Sequence, residues 1–350
     1  MTHRPFAGPR GSSTGDADSI PTMLGAPGAP SSELQEAAAE LRKLVTRAVA
    51  RRPAQCMLLS GGLDTAILAP LADAGGMRAA VTVLTSADAP DRPFAHAVAS
   101  HLGWQHHVVE APFEELLVET DFVVETLRTF DPMEIRNSIV IGRGLREVAR
   151  RGYRTVMTGD AADELFGGYS FLWGRSPEDF EEYSRRMAAT MKFSSQPLGT
   201  ALGVEVKAPY TDPDVVRFAT GLPKRLKVAH REGATVGKWV LRWAFPECES
   251  RWRRKDPIEV GSGSTGLPAW FAERIPAEHL AEQQGRIRRE DRVEIRDAEH
   301  LAYYQAFRRM FPEILKERTF GVDSCTHCGF DLPRPDSTFC TTCGAYPARP

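Results

Sequence analysis

Ser60-Gly61-Gly62-Leu63-Asp64-Thr65 lies between two apolar stretches of different character, and its reading decides the fold. Residues 55–59 form an apolar run of strand length, whereas residues 66–74 repeat their apolar positions at helical spacing. At such a turn, glycines leave backbone N–H groups open at the positive end of a helix, with no Cβ in the way of an anion. The hydroxyls of Ser60 and Thr65 flank it, so the turn is a candidate phosphate site. It has neither the G-x-x-x-x-G-K-[ST] nor the G-x-G-x-x-G spacing, and another kind of nucleotide loop is implied.

A second stretch repeats the pattern. Gly159-Asp160-Ala161-Ala162-Asp163-Glu164-Leu165-Phe166-Gly167-Gly168-Tyr169 follows a short apolar segment at residues 155–158. Both stretches would sit at the carboxyl ends of strands in one parallel sheet, where open α/β folds place their ligands. Further strands are expected at residues 79–85 and 105–109 with a helix at 94–102 between them. That alternation predicts right-handed crossovers and a parallel sheet with helices on both faces. Ahead of the first strand, Ser32 and Gln35 make a capping-box pattern, and Leu34, Ala38, Leu41, Val45 and Ala48 share one helix face.

Three later motifs follow in order: Gly203-Val204-Glu205-Val206-Lys207-Ala208-Pro209-Tyr210-Thr211-Asp212, Lys238-Trp239-Val240-Leu241-Arg242 and Trp252-Arg253-Arg254-Lys255. With the two turns, they resemble the synthetase domain of asparagine synthetases and β-lactam synthetases, a branch of the N-type ATP pyrophosphatases carrying a PP-loop. The resemblance spans roughly residues 32–267. It implies an α/β fold of the adenine nucleotide alpha hydrolase kind. It also implies a ligase that adenylates a carboxylate, releases pyrophosphate and lets a nitrogen nucleophile attack.

The same resemblance assigns roles. Ser60, Gly61, Gly62, Thr65 and Gly159 would surround the phosphates of ATP, and Asp64 and Asp163 would hold Mg2+, a hard cation that takes one or two carboxylates beside phosphate oxygens. Val83 and Thr85, ending the second strand, would lie near the adenine. Lys238 and Lys255 would neutralise pyrophosphate and the adenylate or tetrahedral intermediate. Asp160 stands at the acidic position that manages the nucleophile's proton. Asp131-Pro132 reads as the cap and first turn of a helix, from which Glu134, Arg136 and Asn137 project where related synthetases present a substrate-binding loop. This segment lacks the Pro-Ser ending of asparagine-forming members, and Ala161 stands where the family carries glycine.

Composition bounds the rest. A chain of 350 residues, 42% hydrophobic and 26% charged, suits one large globular domain with attachments. A formal charge of −2 provides no overall basic field for nucleic acid. No apolar run reaches the roughly 18 residues of a membrane span. The N-terminus has no apolar core for a signal peptide, so the expected location is cytoplasmic. Residues 1–31, rich in Gly, Pro, Ser and Ala, are expected to be a disordered tail. Residues 32–320 should form the ATP pyrophosphatase domain, ending in a helical cap with helices at 212–220, 235–245 and 301–311. The run Gly261-Ser262-Gly263-Ser264-Thr265-Gly266 reads as a flexible surface loop or a lid. With Met1-Thr2 where glutamine-using relatives open on a nucleophilic cysteine, no glutaminase is expected. Nitrogen would then come from ammonia, an ammonia-supplying partner or an amine substrate.

Four of the six cysteines form two C-x-x-C pairs near the end, Cys325/Cys328 and Cys340/Cys343, each followed by glycine. In a chain without an export signal this pattern predicts a structural Zn2+ site in a ribbon at residues 321–350, with His327 a bystander. Its metal would supply the folding energy that so few residues lack. Cys56 and Cys248 read as buried small hydrophobes. The ribbon is left open to a carrier protein, RNA or a second subunit as partner. Two rival functions stand beside the ligase: a tRNA-modifying PP-loop enzyme whose ribbon grips RNA, and a non-catalytic nucleotide-binding protein.

Overall fold

The structure is a computed structural model that describes residues 30–349 except Glu232, Thr319, Pro335 and Asp336. The tail expected over residues 1–31 therefore lies, up to residue 29, outside the described residues.

Five short strands, β1 (Cys56–Leu58), β2 (Ala79–Leu84), β3 (Gln105–Glu110), β4 (Thr155–Met157) and β5 (Glu205–Lys207), make one sheet in the order β3-β2-β1-β4-β5. Every pairing is parallel. The order reverses between β1 and β4, which opens a crevice at their carboxyl ends. The turn at Ser60 leaves β1 and the turn at Gly159 leaves β4, so both candidate loops flank that crevice.

Strand side chains alternate between two cores. Cys56, Ala79, Val81, Val83 and Val156 join one hydrophobic cluster with Ile135, Ile139, Leu145, Leu301 and Phe307. Met57, Leu59, Ala80 and Met157 join the other with Leu41, Val45, Ile67, Leu68, Val240 and Leu241. The first face is thus covered by helices Pro132–Arg150 and Ala298–Met310, the second by Ser32–Arg51, Leu63–Ala74 and Trp239–Ala244. All five apolar positions expected on the first helix, Leu34 to Ala48, are buried. Its cap is Ser31, whose Oγ accepts from Leu34 N at 3.2 Å, rather than Ser32. Asp131 caps helix Pro132–Arg150 as expected, accepting from Met133 N at 3.1 Å with Pro132 in the first turn.

Several expectations change. β5 lies inside the Gly203–Asp212 motif, where Glu205 and Lys207 on either side of Val206 leave no apolar run to read. The helix expected over residues 235–245 begins only at Trp239, because Ala234–Val236 pairs antiparallel with Ala229–Arg231. The Gly261–Gly266 run is neither a free loop nor a lid: it forms short helical turns, Ser262 and Ser264 are buried, and Ser262 O accepts from Thr85 N at 2.8 Å. Small residues there let the backbone press against the end of β2.

The cysteine ribbon is no separate arm either. All four cysteines lie in the same cluster as Phe130, Tyr304 and Phe307. Phe330 completes that aromatic group, its ring centroid 5.7 Å from that of Phe307. Backbone bonds seal the join: Phe130 N donates to Thr342 O at 2.8 Å, and Glu294 N to His327 O at 2.8 Å. A segment too short to bury a core of its own has packed onto the core beside it.

Candidate active site

Asp64 sits in the first turn of helix Leu63–Ala74 and Asp163 in the first turn of helix Ala162–Phe166. One side chain joins them. Lys238 Nζ lies 2.6 Å from Asp64 Oδ2 and 2.9 Å from Asp163 Oδ1, and Lys255 Nζ lies 2.7 Å from the same Asp163 oxygen. The Lys238 side chain is only 4% exposed, so its charge is balanced by these carboxylates rather than by water. Burial alone would push both carboxyls up. At Asp163 the two ammonium groups overcome it and hold the acid below its usual range, whereas Asp64, with Lys238 as its main cation, stays above.

The backbone explains how the lysine arrives. Lys238 takes a left-handed conformation at φ 56°, and its N–H donates to Phe166 O at 3.0 Å. The lysine turn therefore rests directly on the Gly167-Gly168 turn. A Cβ on Gly168 would come 1.7 Å from Asp163 Oδ1, so only glycine fits beneath that carboxylate. Tyr210, fully buried, donates its hydroxyl to Asp64 O at 3.1 Å and ties the third motif to the first.

The phosphate-loop candidates are together. Ser60 Oγ and Thr65 Oγ1 lie 3.2 Å apart, and Gly62 N donates to Ser60 Oγ at 3.2 Å. Gly159 faces this loop, because a Cβ there would stand 3.0 Å from Asp64 Cβ. Asp160 turns elsewhere: its Oδ2 accepts from Thr158 Oγ1 at 2.7 Å and from Ser195 Oγ at 2.5 Å. Burial pushes its carboxyl up against those two hydrogen bonds, which favour the ionised form.

Other predicted residues make their contacts with different partners. Val83 belongs to the buried face of the sheet, with its Cγ2 3.3 Å from where a Cβ on Gly144 would stand. Thr85 donates its hydroxyl to Ser262 O at 3.0 Å. Arg136 forms a bidentate pair with the buried Glu299, at 3.1 and 2.6 Å, and Glu134 accepts from Ser138 Oγ at 2.9 Å. The side-chain oxygen of Asn137 is buried without a hydrogen-bond partner. Among the described residues, no hydrogen bond or ion pair of Glu134 or Arg136 reaches the carboxylate–lysine cluster.

Residues that the sequence reading passed over complete the site. Tyr169 donates to Glu164 Oε1 at 2.6 Å, and Lys255 Nζ stands 4.6 Å from the centre of its ring. Both belong to the second turn, so their motif pointed to them even though spacing gave them no role. Arg242, buried on the helix after Lys238, donates Nε to Gly237 O at 3.0 Å.

At the far end, the sulfur atoms of Cys325, Cys328, Cys340 and Cys343 all lie within 4.8 Å of one another. The Cys325–Cys343 and Cys328–Cys340 separations are 3.8 and 3.6 Å. Zn–S bonds of about 2.3 Å in a tetrahedron correspond to sulfur separations of about 3.8 Å. The site therefore fits Zn2+, and its four thiolates leave no open position. Gly329 and Gly344 have φ of 74° and 71°, the left-handed turns expected after each pair. His327 is outside the ligand group. Cys56 and Cys248 are buried, and burial pushes both thiols up to about 12.

The chain's sequence matches agree with this arrangement. The sequence profile of the asparagine synthase family matches residues 36–198 and 182–320. Asparagine synthetase [glutamine-hydrolyzing] 1 of Arabidopsis thaliana is 26% identical over 283 residues, which cover 73% of this chain and 48% of that protein. Asparagine synthetase [glutamine-hydrolyzing] 2 of Oryza sativa subsp. japonica is 29% identical over 230 residues, covering 59% and 39%. The chain spans about half the length of such relatives or less. Among solved structures, an NMN synthetase from Francisella tularensis aligns over 82% of this chain and 98% of its own at 12% identity, with a TM-score of 0.34. With the family profile covering most of the sequence from the first helix to the start of the ribbon, this chain belongs to the asparagine synthase family.

Proposed function

We propose that this chain is an ATP-dependent ligase that adenylates a carboxylate, releases pyrophosphate and joins the activated acyl group to ammonia or an amine. The observation that carries the reading is the meeting of Asp64 and Asp163 on Lys238 at the crevice between β1 and β4. Two carboxylates and two lysines that balance one another in the free protein offer both signs of charge to an incoming metal–triphosphate.

A carboxylate oxygen is a poor leaving group, so direct amide formation in water fails. In the proposed reaction the substrate carboxylate attacks the α-phosphorus of ATP, and the bond to the β-phosphate breaks with pyrophosphate leaving. The nitrogen then attacks the acyl carbon, AMP departs with the electrons of the acyl–oxygen bond, and the nitrogen sheds a proton. Asp64 and Asp163 would be the protein ligands of Mg2+, which when bound supplies charge neutralisation to the phosphates. Lys238 and Lys255 turn from those carboxylates to the departing pyrophosphate and the developing oxyanion. Asp160 is the candidate for taking the nucleophile's proton: burial raises its carboxyl, and in the free protein the Thr158 and Ser195 hydroxyls hold it. The four-cysteine site holds structural Zn2+, since a closed tetrahedron has no position for substrate.

Pyrophosphate release from ATP, screened across carboxylates with ammonium or amines and in parallel with tRNA, tests the proposal. Turnover with a carboxylate and a nitrogen donor in the absence of RNA supports it. Strict dependence on tRNA, or no turnover with any pair, overturns it.

A further inference from the structure

The last motif reaches the phosphate loop by a second route. Lys255 reaches Asp163, its Nζ 2.7 Å from Oδ1. Arg253, two residues earlier, is only 3% exposed and points the other way. Its Nη1 donates to Ser60 O at 3.3 Å, and its Nη2 meets Asp91 Oδ1 at 2.7 Å and Asp256 Oδ2 at 3.3 Å. The guanidinium carbon stands 4.0 Å from the centre of the Phe94 ring. Nearby, the buried Ser250 donates Oγ to Gly61 O at 2.6 Å.

These contacts have a directional consequence. In a trans peptide the C=O of one residue and the N–H of the next point in opposite directions. Holding Ser60 O and Gly61 O from behind therefore turns the amides of Gly61 and Gly62 to the opposite side of the loop, where Gly62 N donates to Ser60 Oγ in the free protein. The loop has little freedom to relax, because a Cβ on Gly61 would fall 2.3 Å from Ala95 N. The Arg253 carbonyl is held in turn by Arg242 Nη1 at 3.3 Å, and Arg242 also binds Gly237, next to Lys238. Arg253 is thus engaged with a backbone carbonyl, two carboxylates and a ring, which leaves it unsuited to bind phosphate directly.

We infer that Arg253 and Ser250 are positioning residues that set the amides of the phosphate loop for the triphosphate of ATP. The inference rests on the ligase reading above, and it gives the Trp252–Lys255 motif two tasks: Lys255 meets the phosphates, while Arg253 shapes the loop that cradles them. Its prediction is selective, because a fault in the loop weakens phosphate binding and spares the adenosine end.

Titration calorimetry of the full chain with Mg·ATP, Mg·pyrophosphate and adenosine tests this, using wild type, Ser250→Ala and Arg253→Lys. Ser250→Ala removes one hydroxyl and serves as the variant least able to disturb folding. Both variants should bind Mg·ATP and Mg·pyrophosphate about tenfold more weakly, roughly the worth of one hydrogen bond, with adenosine binding unchanged. Unaltered affinity for all three ligands, or an equal loss for adenosine, would overturn the inference. If wild type itself fails to bind Mg·ATP, the ligase reading falls first and this one with it.

Discussion

Lys238 Nζ lies 2.8 Å from Asp64 Oδ1 and 2.6 Å from Asp64 Oδ2, although 174 residues separate the two in sequence. Both ends of this pair are buried enough for each charge to need the other. Removing the lysine strands Asp64 beside Asp163. Lys238→Ala should therefore abolish pyrophosphate release and also destabilise the fold by about 3–5 kcal/mol. Urea unfolding alongside the turnover assay measures both effects.

Lys255 gives the contrasting case. Its side chain is 27% exposed and can rest on Tyr169 without structural need of Asp163. Lys255→Ala should remove product formation while shifting stability by less than about 1 kcal/mol. An active variant would take this lysine out of the site.

Ala161 occupies φ 78°, a conformation that costs an L-residue about 1–2 kcal/mol and glycine almost nothing. Ala161→Gly should stabilise the protein by up to about 1 kcal/mol, since glycine's extra freedom in the unfolded chain takes back part of the gain. Thermal melting of the two proteins side by side decides it.

Burial pushes the Asp131 carboxyl up to about 6 from an ordinary 3.8. The folded protein therefore holds this proton more tightly than the unfolded chain. The resulting stability is complete below 3.8 and is lost as pH rises through about 6. Asparagine caps a helix as well as aspartate does. Asp131→Asn should keep the cap and flatten the dependence of melting temperature on pH between about 4 and 6. A variant with the wild-type slope would exclude Asp131 as its source.

The four-cysteine site packs against the segment that caps helix Pro132–Arg150. Thr129 Oγ1 donates to Thr341 O at 2.8 Å, and Arg296 Nη2 to Cys343 O at 2.9 Å. One zinc per chain is expected by metal analysis. Its removal by chelation, or Cys340→Ser, should lower the melting temperature by roughly 5–10 °C and speed hydrogen exchange at Phe130, whose amide is bonded to Thr342. Unchanged exchange at that amide would separate the ribbon from the helix cap.

The central features are readable in the sequence because they follow from local rules. Glycine and carboxylate at two strand ends, apolar runs of strand length and paired cysteines each have a short-range cause. Elsewhere the cause is distant. Val83 reads as a neighbour of the adenine, yet its strand position turns it to the core face that packs under helix Pro132–Arg150. Arg136 is a substrate candidate because it opens a helix at the active edge, but Glu299, on a helix far along the chain, takes its guanidinium. The Gly261–Gly266 run reads as free because composition cannot show that its backbone presses on Thr85.

From the sequence alone came most of the order of strands and helices, the two acidic turns, the lysines that answer them and the four cysteines that meet in one cluster. Tertiary structure decided which charge neutralises which, how the ribbon joins the core, and which face of the Ser60–Thr65 loop is held from behind. The reason is physical: a turn's backbone preferences are written in adjacent residues, whereas an ion pair in a low-dielectric crevice depends on whatever the fold brings within about 3 Å.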